Sequence, residues 1–262
     1  MIVLQMDSSK DTTPGNKQAI MKNILLFPLI LITAPCLAQK SFRIGPRIGA
    51  TLATVHYSDN PSYFNPTTTY KAGFEAGMMG AFQTGHIGIQ PMLSFIQKGY
   101  DSQYSIVPSR GTLPPSSYSN TTRLNYLTAQ MNFAYIQRVN GQGFQVFAGP
   151  YISCLIGGKY RSEFNYYTLG KMNSFDGQVV AGDNNPGTPG SNDIYLKRWD
   201  IGLQAGVGYQ YRGLLVQVGY NLGLRNLAAT YPGGFPLTTL TATPTYNRAF
   251  HASIAYLFNT RG

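Results

Sequence analysis

Charge is what this chain has least of. Asp, Glu, Lys and Arg make up 11% of its 262 residues, against ~25% in an ordinary soluble domain, while apolar residues hold at 43%. Charge has therefore been replaced without oil being added. The replacements are Gly, Tyr, Ser, Thr, Asn and Gln, residues of turns and of polar surfaces that Lys and Glu do not solubilise. Cysteine is almost absent, and two residues exclude a disulfide scaffold and a Cys-rich zinc site. Disorder is excluded by an aromatic content of 13% combined with a low charge density. After residue 38 no stretch reaches the ~18 consecutive apolar residues of a transmembrane helix. If the chain crosses a membrane, it must do so as a closed barrel.

One sign of charge is in excess: 20 Lys and Arg against 10 Asp and Glu give +10. A nucleic-acid interface would gather the basic residues into a stripe, but they are scattered singly, and the longest run is Lys197-Arg198. No nucleic-acid partner is expected.

Residues 21–38, MKNILLFPLILITAPCLA, carry a basic start at Lys22, an apolar run from Ile24 to Ile32 and small residues ending at Ala38. This is the plan of a secretory signal peptide, with the cut expected before Gln39. Residues 1–20 lie upstream of Met21 and read as an over-extended start or a long polar leader. Residues 39–262 form the expected mature domain. Losing Lys10, Lys17, Lys22, Asp7 and Asp11 takes the net charge from +10 to +9. Cys36 follows Pro35, which suits lipidation poorly, and Cys154 is then the only thiol, expected as a buried or lipid-facing small hydrophobe.

In the mature chain the period is two. From 214 to 225, Leu214, Val216, Val218, Tyr220, Leu222 and Leu224 alternate with Gln217, Gly219, Asn221, Gly223 and Arg225. From 199 to 211, Trp199, Ile201, Leu203, Ala205, Val207 and Tyr209 alternate with Asp200, Gly202, Gln204, Gly206, Gly208 and Gln210. Strict alternation over such lengths predicts strands. The same reading places strands near 42–55, 71–83, 86–99, 123–137, 143–157, 196–211, 214–226 and 246–258. Two-residue turns are expected at Thr84-Gly85, Asn140-Gly141 and Arg212-Gly213, where Gly supplies a positive φ. Long polar loops are expected near 56–70, 100–122, 158–195 and 227–245. Short turns at one end and long loops at the other predict an all-β fold: an eight-stranded antiparallel up-and-down transmembrane β-barrel after a cleaved signal peptide. A soluble barrel or sandwich would keep its large apolar residues inside; here the consistent polar series is the small, Gly-rich one that fits a narrow interior. Tyr57, Tyr70, Tyr100, Tyr135, Trp199, Tyr211 and Phe258, near strand ends, are expected in interfacial girdles.

With the apolar series facing lipid, a lumen polar network is expected from Arg43, Arg47, Glu75, Lys98, Asp200, Arg225 and His251, joined by Gln90, Gln130, Asn132, Gln204, Gln217 and Asn221. An interior this narrow is filled by side chains. Counting back from the Arg212-Gly213 turn sets Asp200 opposite Arg225 as an ion pair. His251, Ser253 and Asp200 are the residue types of a hydrolase triad, but packing in a filled narrow lumen is the better explanation of them, and no catalytic residue is expected. The 182–193 run GDNNPGTPGSND lacks the spacing and terminal Glu of an EF-hand, and Gly206-Val207-Gly208 lies in a strand with no helix after it. Neither metal nor cofactor is expected.

These segments resemble the outer-membrane β-barrel domain family of Bacteroidota-type bacteria, the porin-family or PorT-like proteins. The resemblance rests on GPRIGATLATV (45–55), KAGFEAGMMGAF and IGIQPMLSFIQKGY (71–82, 87–100), LNYLTAQMNFAYI and FQVFAGPYIS (124–136, 144–153), WDIGLQAGVGYQYRGLLVQVGYNLGLRNL (199–227) and the closing NRAFHASIAYLF, which ends on an aromatic. It implies residence in the outer membrane of a Gram-negative bacterium, insertion by the barrel-assembly machinery, contact with outer-membrane lipid and no cofactor. Function would then reside in the long loops, as surface interaction or envelope integrity, through a protein partner. An accessory subunit of a secretion or uptake complex is the alternative; a narrow channel or barrel hydrolase is a third.

Overall fold

Alternation becomes strand wherever the chain can be described. The computed structural model describes residues 41–58, 66–106, 116–166, 171–184, 186, 191–230 and 243–259; the leader and signal peptide expected at 1–38 lie outside them. One antiparallel-dominated sheet is built from β1 (Ser41–Tyr57), β2 (Thr67–Thr84), β3 (Ile87–Ile106), β4 (Ser116–Ile136), β5 (Gly143–Tyr166), β6 (Lys171–Ala181), β7 (Ile194–Leu196), β8 (Trp199–Tyr211), β9 (Leu214–Gly223), β10 (Thr245–Tyr256) and β11 (Phe258–Asn259). Pairing runs β1–β2–β3–β4–β5–β8–β9–β10 and returns to β1, where Arg47–Tyr57 meet Thr245–Ala255. The sheet closes on itself. β6 and β7 hang from the long outer end of β5, and β11 adds two pairs to the start of β1.

The two faces invert the usual order of a soluble protein. Asp200 is fully buried, while its neighbours Trp199 and Ile201 are each 42% exposed. In β1, Arg43, Arg47 and Thr51 are buried, whereas Ile48 and Leu52 are 64% and 50% exposed. Large exposed apolar side chains follow the same parity around the ring, from Leu93 and Phe133 to Val218 and Ile254. An apolar belt of that extent on a closed sheet suits hydrocarbon as its solvent.

Turn chemistry fixes one end. Tyr211 pairs with Leu214, and Arg212 (φ 46°) and Gly213 (φ 88°) make the two-residue turn between them, both in the left-handed region that a type I′ hairpin demands. Arg212 is strained there, since Asn or Gly populates that region at less cost. Arg212→Asn should raise the midpoint of denaturant unfolding by the equivalent of about 0.5–1 kcal/mol, measured on the refolded barrel; a lowered midpoint would mean that the Arg212 guanidinium over the Tyr211 ring outweighs the backbone strain.

Three expectations need correction here. The β2–β3 turn is Gly85-His86, because Thr84 itself pairs with Ile87. Asn140-Gly141 belongs to a six-residue connection, 137–142, in which the Gly141 N–H donates to the Arg138 carbonyl (2.9 Å). The 100–122 and 158–195 loops are largely sheet: β3 and β4 stay in register out to Ile106 and Ser116, and β5 pairs with β6 from Gly158 to Tyr166. Beyond the membrane both strand faces meet water or aromatic rings, so the apolar/polar contrast that announces a strand disappears. At ~3.3 Å per residue, the β3–β4 hairpin extends about 25 Å beyond Lys98 along the strand. A bulge between Asn125 and Tyr126, with Gly157 at φ 142°, re-aims β5 where this extension begins. Inward positions thereby switch from the odd series ending at Leu155 to the even series that includes Ser162.

Candidate functional site

Two regions carry polar side chains in quantity, the lumen and the outer end of the sheet. At the short-turn end of the lumen, Met79, Ala81, Met92, Leu215, Ala255 and Leu257 pack together, and Ala134, Ile136 and Phe147 form a second apolar cluster. Arg43 sits at that end, donating to Gln83 Oε1 at 3.0 Å. The Gln210 carboxamide, turned to satisfy both its neighbours, accepts from Arg43 and donates to the Gly141 carbonyl at 3.0 Å.

Above this layer a chain of hydrogen bonds crosses the interior. Arg47 Nε donates to Glu75 Oε1 (2.9 Å) and Arg47 Nη1 to Gln217 Oε1 (2.5 Å); Gln217 Nε2 donates to Gln90 Oε1 (3.1 Å), and Gln90 Nε2 to Gln145 Oε1 (2.8 Å). These five residues come from five strands. Gln204 donates to Asn132 (2.7 Å) and Thr128 to Ser153 (2.9 Å).

Further out, Lys98 Nζ lies 2.9 Å from Asp200 Oδ2, and both side chains are removed from solvent. Asn247 donates to the same oxygen (2.8 Å), the Tyr151 hydroxyl donates to Asp200 Oδ1 (3.3 Å), and the ammonium stands 5.1 and 4.9 Å from the Tyr126 and Tyr151 ring centres. The expected partner of Asp200, Arg225, is not there. β9 ends at Gly223, and the Leu224 and Arg225 N–H groups both donate to the Ile201 carbonyl (2.9 and 3.3 Å), so Arg225 leaves the ladder, half-buried, before it comes opposite Asp200.

Arg43, Arg47, Glu75, Lys98, Asp200 and His251 are all buried, as are Gln90, Gln130, Asn132, Gln204, Gln217 and Asn221. His251 is apart from the carboxylates: neither ring nitrogen has a hydrogen-bond partner, and its ring lies 6.3 Å from that of Phe147. It is therefore coupled neither to Ser253 nor to Asp200, and a hydrolase relay has no base–orienter bond. Among the described residues no group of three His, Cys, Asp or Glu could hold a metal. Tyr126, Tyr151, Asn247, Gln83, Gln145 and Gln210 also build the interior without having been singled out. Their inward parity was readable; aromatic identity hid the two tyrosines, because rings read as lipid-facing. The girdle expectation needs the same correction at two places. Tyr70, Tyr135, Trp199, Tyr211 and Phe258 are exposed on the outer face, but Tyr57 is half-buried and Tyr100 buried among the inward residues of the outer end.

That outer end is roofed. Val55, Tyr100, Leu124, Tyr126, Leu155 and Val179 form an apolar cluster, against which Tyr57, Tyr160, Ala181, Ile194 and Leu196 pack. Leu196 bridges to Ala228, and Leu227, Ala228 and Ala229 are buried beside it. The extension above is two-faced. On one side lie Lys71 with Asp101 (2.9 Å), Arg161 with Glu163 (3.0 Å), and Arg123 opposite Lys159. On the other, rings form successive rungs: Tyr104–Tyr118 stacked at 4.8 Å, Tyr118–Phe164 at 6.0 Å and Phe164–Phe175 at 6.0 Å. Hydroxyl contacts link Tyr57 to Tyr100 and Ser102, and Tyr104 to Asn120. Burial pushes the Tyr57 and Tyr104 phenols upward, Tyr57 with a further push from Tyr100, so both remain neutral. Between this face and the roof is a cavity of about 250 Å³.

Comparison with solved structures finds the attachment invasion locus protein Ail of Yersinia pestis, crystallised with the heparin analogue sucrose octasulfate, at 11% identity and a TM-score of 0.36, covering 83% of this chain and 99% of that one. It also finds the outer membrane protein OprG of Pseudomonas aeruginosa, at 10% identity and a TM-score of 0.32, covering 86% and 98%. No curated protein matches the chain. The family model for the outer membrane protein beta-barrel domain matches residues 37–229. With its ring of strands, its inverted faces and that match over most of its length, the chain belongs to the outer membrane protein beta-barrel domain family and resides in the outer membrane.

Proposed function

We propose that this outer-membrane barrel is a closed one that works from its outer end, meeting partners at the cell exterior through the sheet extension and the loops that join it. The observation that carries this reading is an interior filled by side chains. Apolar clusters lie at both ends of a lumen whose middle is crossed by the Arg47–Gln217–Gln90–Gln145 chain and by the Lys98–Asp200 pair. Among the described residues these layers fill the lumen with side chains, whereas the extension presents charge on one face and aromatic rings on the other.

Planar-bilayer recording of the refolded barrel should give no steps of conductance above the lipid background. Steady channel openings would sink the closed reading. Purification from native outer membranes addresses the role: recovery without a stoichiometric partner fits independent surface interaction, and a fixed-ratio partner would turn the reading to an accessory subunit, as in PorT-like proteins. Activity as an enzyme has no support in the geometry around His251, and its contribution is proposed as packing.

A further inference from the structure

The roof cavity has an unusual lining for a protein of net charge +10: none of the described residues around it is charged. Its walls offer the rings and hydroxyls of Tyr57, Tyr100, Tyr104 and Tyr195, with Ser102 and Asn120 between them, and its floor is apolar, from Ile194, Leu196, Ala228 and Ala229. The ion pairs among the described residues of the extension lie on the opposite face. An anionic or cationic ligand would thus enter without a counter-charge, which desolvation disfavours. A purely apolar ligand would leave unused the hydrogen-bonding capacity that these mutually bonded hydroxyls and the Asn120 amide still hold in reserve. The lining asks instead for a molecule with a ring of hydroxyls along its edge and C–H groups on its faces.

We propose that this cavity binds one neutral sugar ring, free or at the end of a glycan, with its C–H face against tyrosine and its hydroxyls bonded to Asn120, Ser102 and the phenols. This deepens the exterior-facing role proposed above and rests on it. About 250 Å³ falls below the ~300–1,000 Å³ of sites for drug-sized ligands, so the occupant is limited to about one ring. Affinity is correspondingly weak, in the millimolar range expected when a few hydrogen bonds and a stacking contact oppose the loss of free motion.

Saturation-transfer NMR on the full barrel, folded in a detergent without a sugar headgroup, tests this with glucose, galactose and N-acetylglucosamine against glucuronate as the charged counterpart. Ring protons of at least one neutral sugar should receive saturation, and glucuronate should receive none. Tyr104→Ala and Tyr195→Ala should each weaken binding about two- to tenfold, the worth of one ring contact. Arg161→Gln, on the charged face, should leave it unchanged. Each variant is first shown to be folded by its shift in gel mobility on boiling. Silence with every neutral sugar, equal binding of glucuronate, or indifference to both tyrosine changes in folded protein would overturn the site. Adherence of cells displaying the chain is measured in parallel; adherence that persists without sugar binding removes the saccharide and leaves the exterior-facing role standing.

Discussion

Lys98→Met should lower the stability of the barrel by about 3–5 kcal/mol, because it leaves Asp200 as an uncompensated charge buried in the lumen. Asn247 and Tyr151 still donate to the carboxylate, but neutral donors offset only part of the lost ammonium. The measurement is the urea midpoint of the refolded barrel, followed by the gel shift on boiling. A double-mutant cycle gives the sharper result. Asp200→Asn alone strands the ammonium between two tyrosine rings, which moderate its cost. Lys98→Met with Asp200→Asn removes both charges, and the pair should recover most of the loss, since apolar or neutral replacement of a buried ion pair is often nearly neutral. If the double variant is as weak as the sum of the singles, the two groups do not interact, and the lumen is held by packing alone.

The second large effect lies at the closing seam. A methyl group on Gly45 would run into the Tyr256 carbonyl oxygen, a backbone atom that cannot swing aside as a side chain would. Gly45→Ala must therefore push β1 and the end of β10 apart where the circuit closes. Overpacking inside a well-ordered core costs ~1–3 kcal/mol, and displaced backbone adds broken ladder bonds. The expected result is a sharp fall in the fraction of chain that shows the folded gel mobility, with proteolysis of the remainder in cells. Gly85→Ala is the control, because open space surrounds that position and only its positive φ is penalised. Equal yields for the two variants would mean that the seam yields locally.

What could be read from the residues was parity. The alternation in 199–211 and 214–224 gave each side chain its face, and a turn at Arg212-Gly213 set the register that relates Gln204 to Asn221. Two kinds of information were not there. The extension SSYSNTTR reads as loop because its outward residues meet water and its inward ones meet rings, so neither face is the apolar one. The partner of Asp200 was hidden for a different reason: Lys98 reaches it across the lumen from a strand three places round the ring, and which inward residues share a level depends on strand tilt and stagger, quantities set by the whole circuit. The mouth cavity lay beyond reach for both reasons together. Its walls come from the extension, and its floor comes from β7 and Ala228–Ala229, segments that local pattern assigned to loops.

The seam between β1 and β10 also decides when the molecule can exist. Its two strands lie at opposite ends of the described chain, and Arg47 finds Ala255 only after everything between them has been made. Closing so long a loop adds little entropy over a short one, about 0.6 kcal/mol per doubling. The edges matter more, because an unpaired N–H or C=O in hydrocarbon costs several kcal/mol. No subset of the strands is tolerable in lipid, so the chain has no stable barrel there until β10, Thr245–Tyr256, joins β1. Until then it remains an open, pliable polymer, in the state that lets it be carried across the inner membrane and the periplasm before it sets.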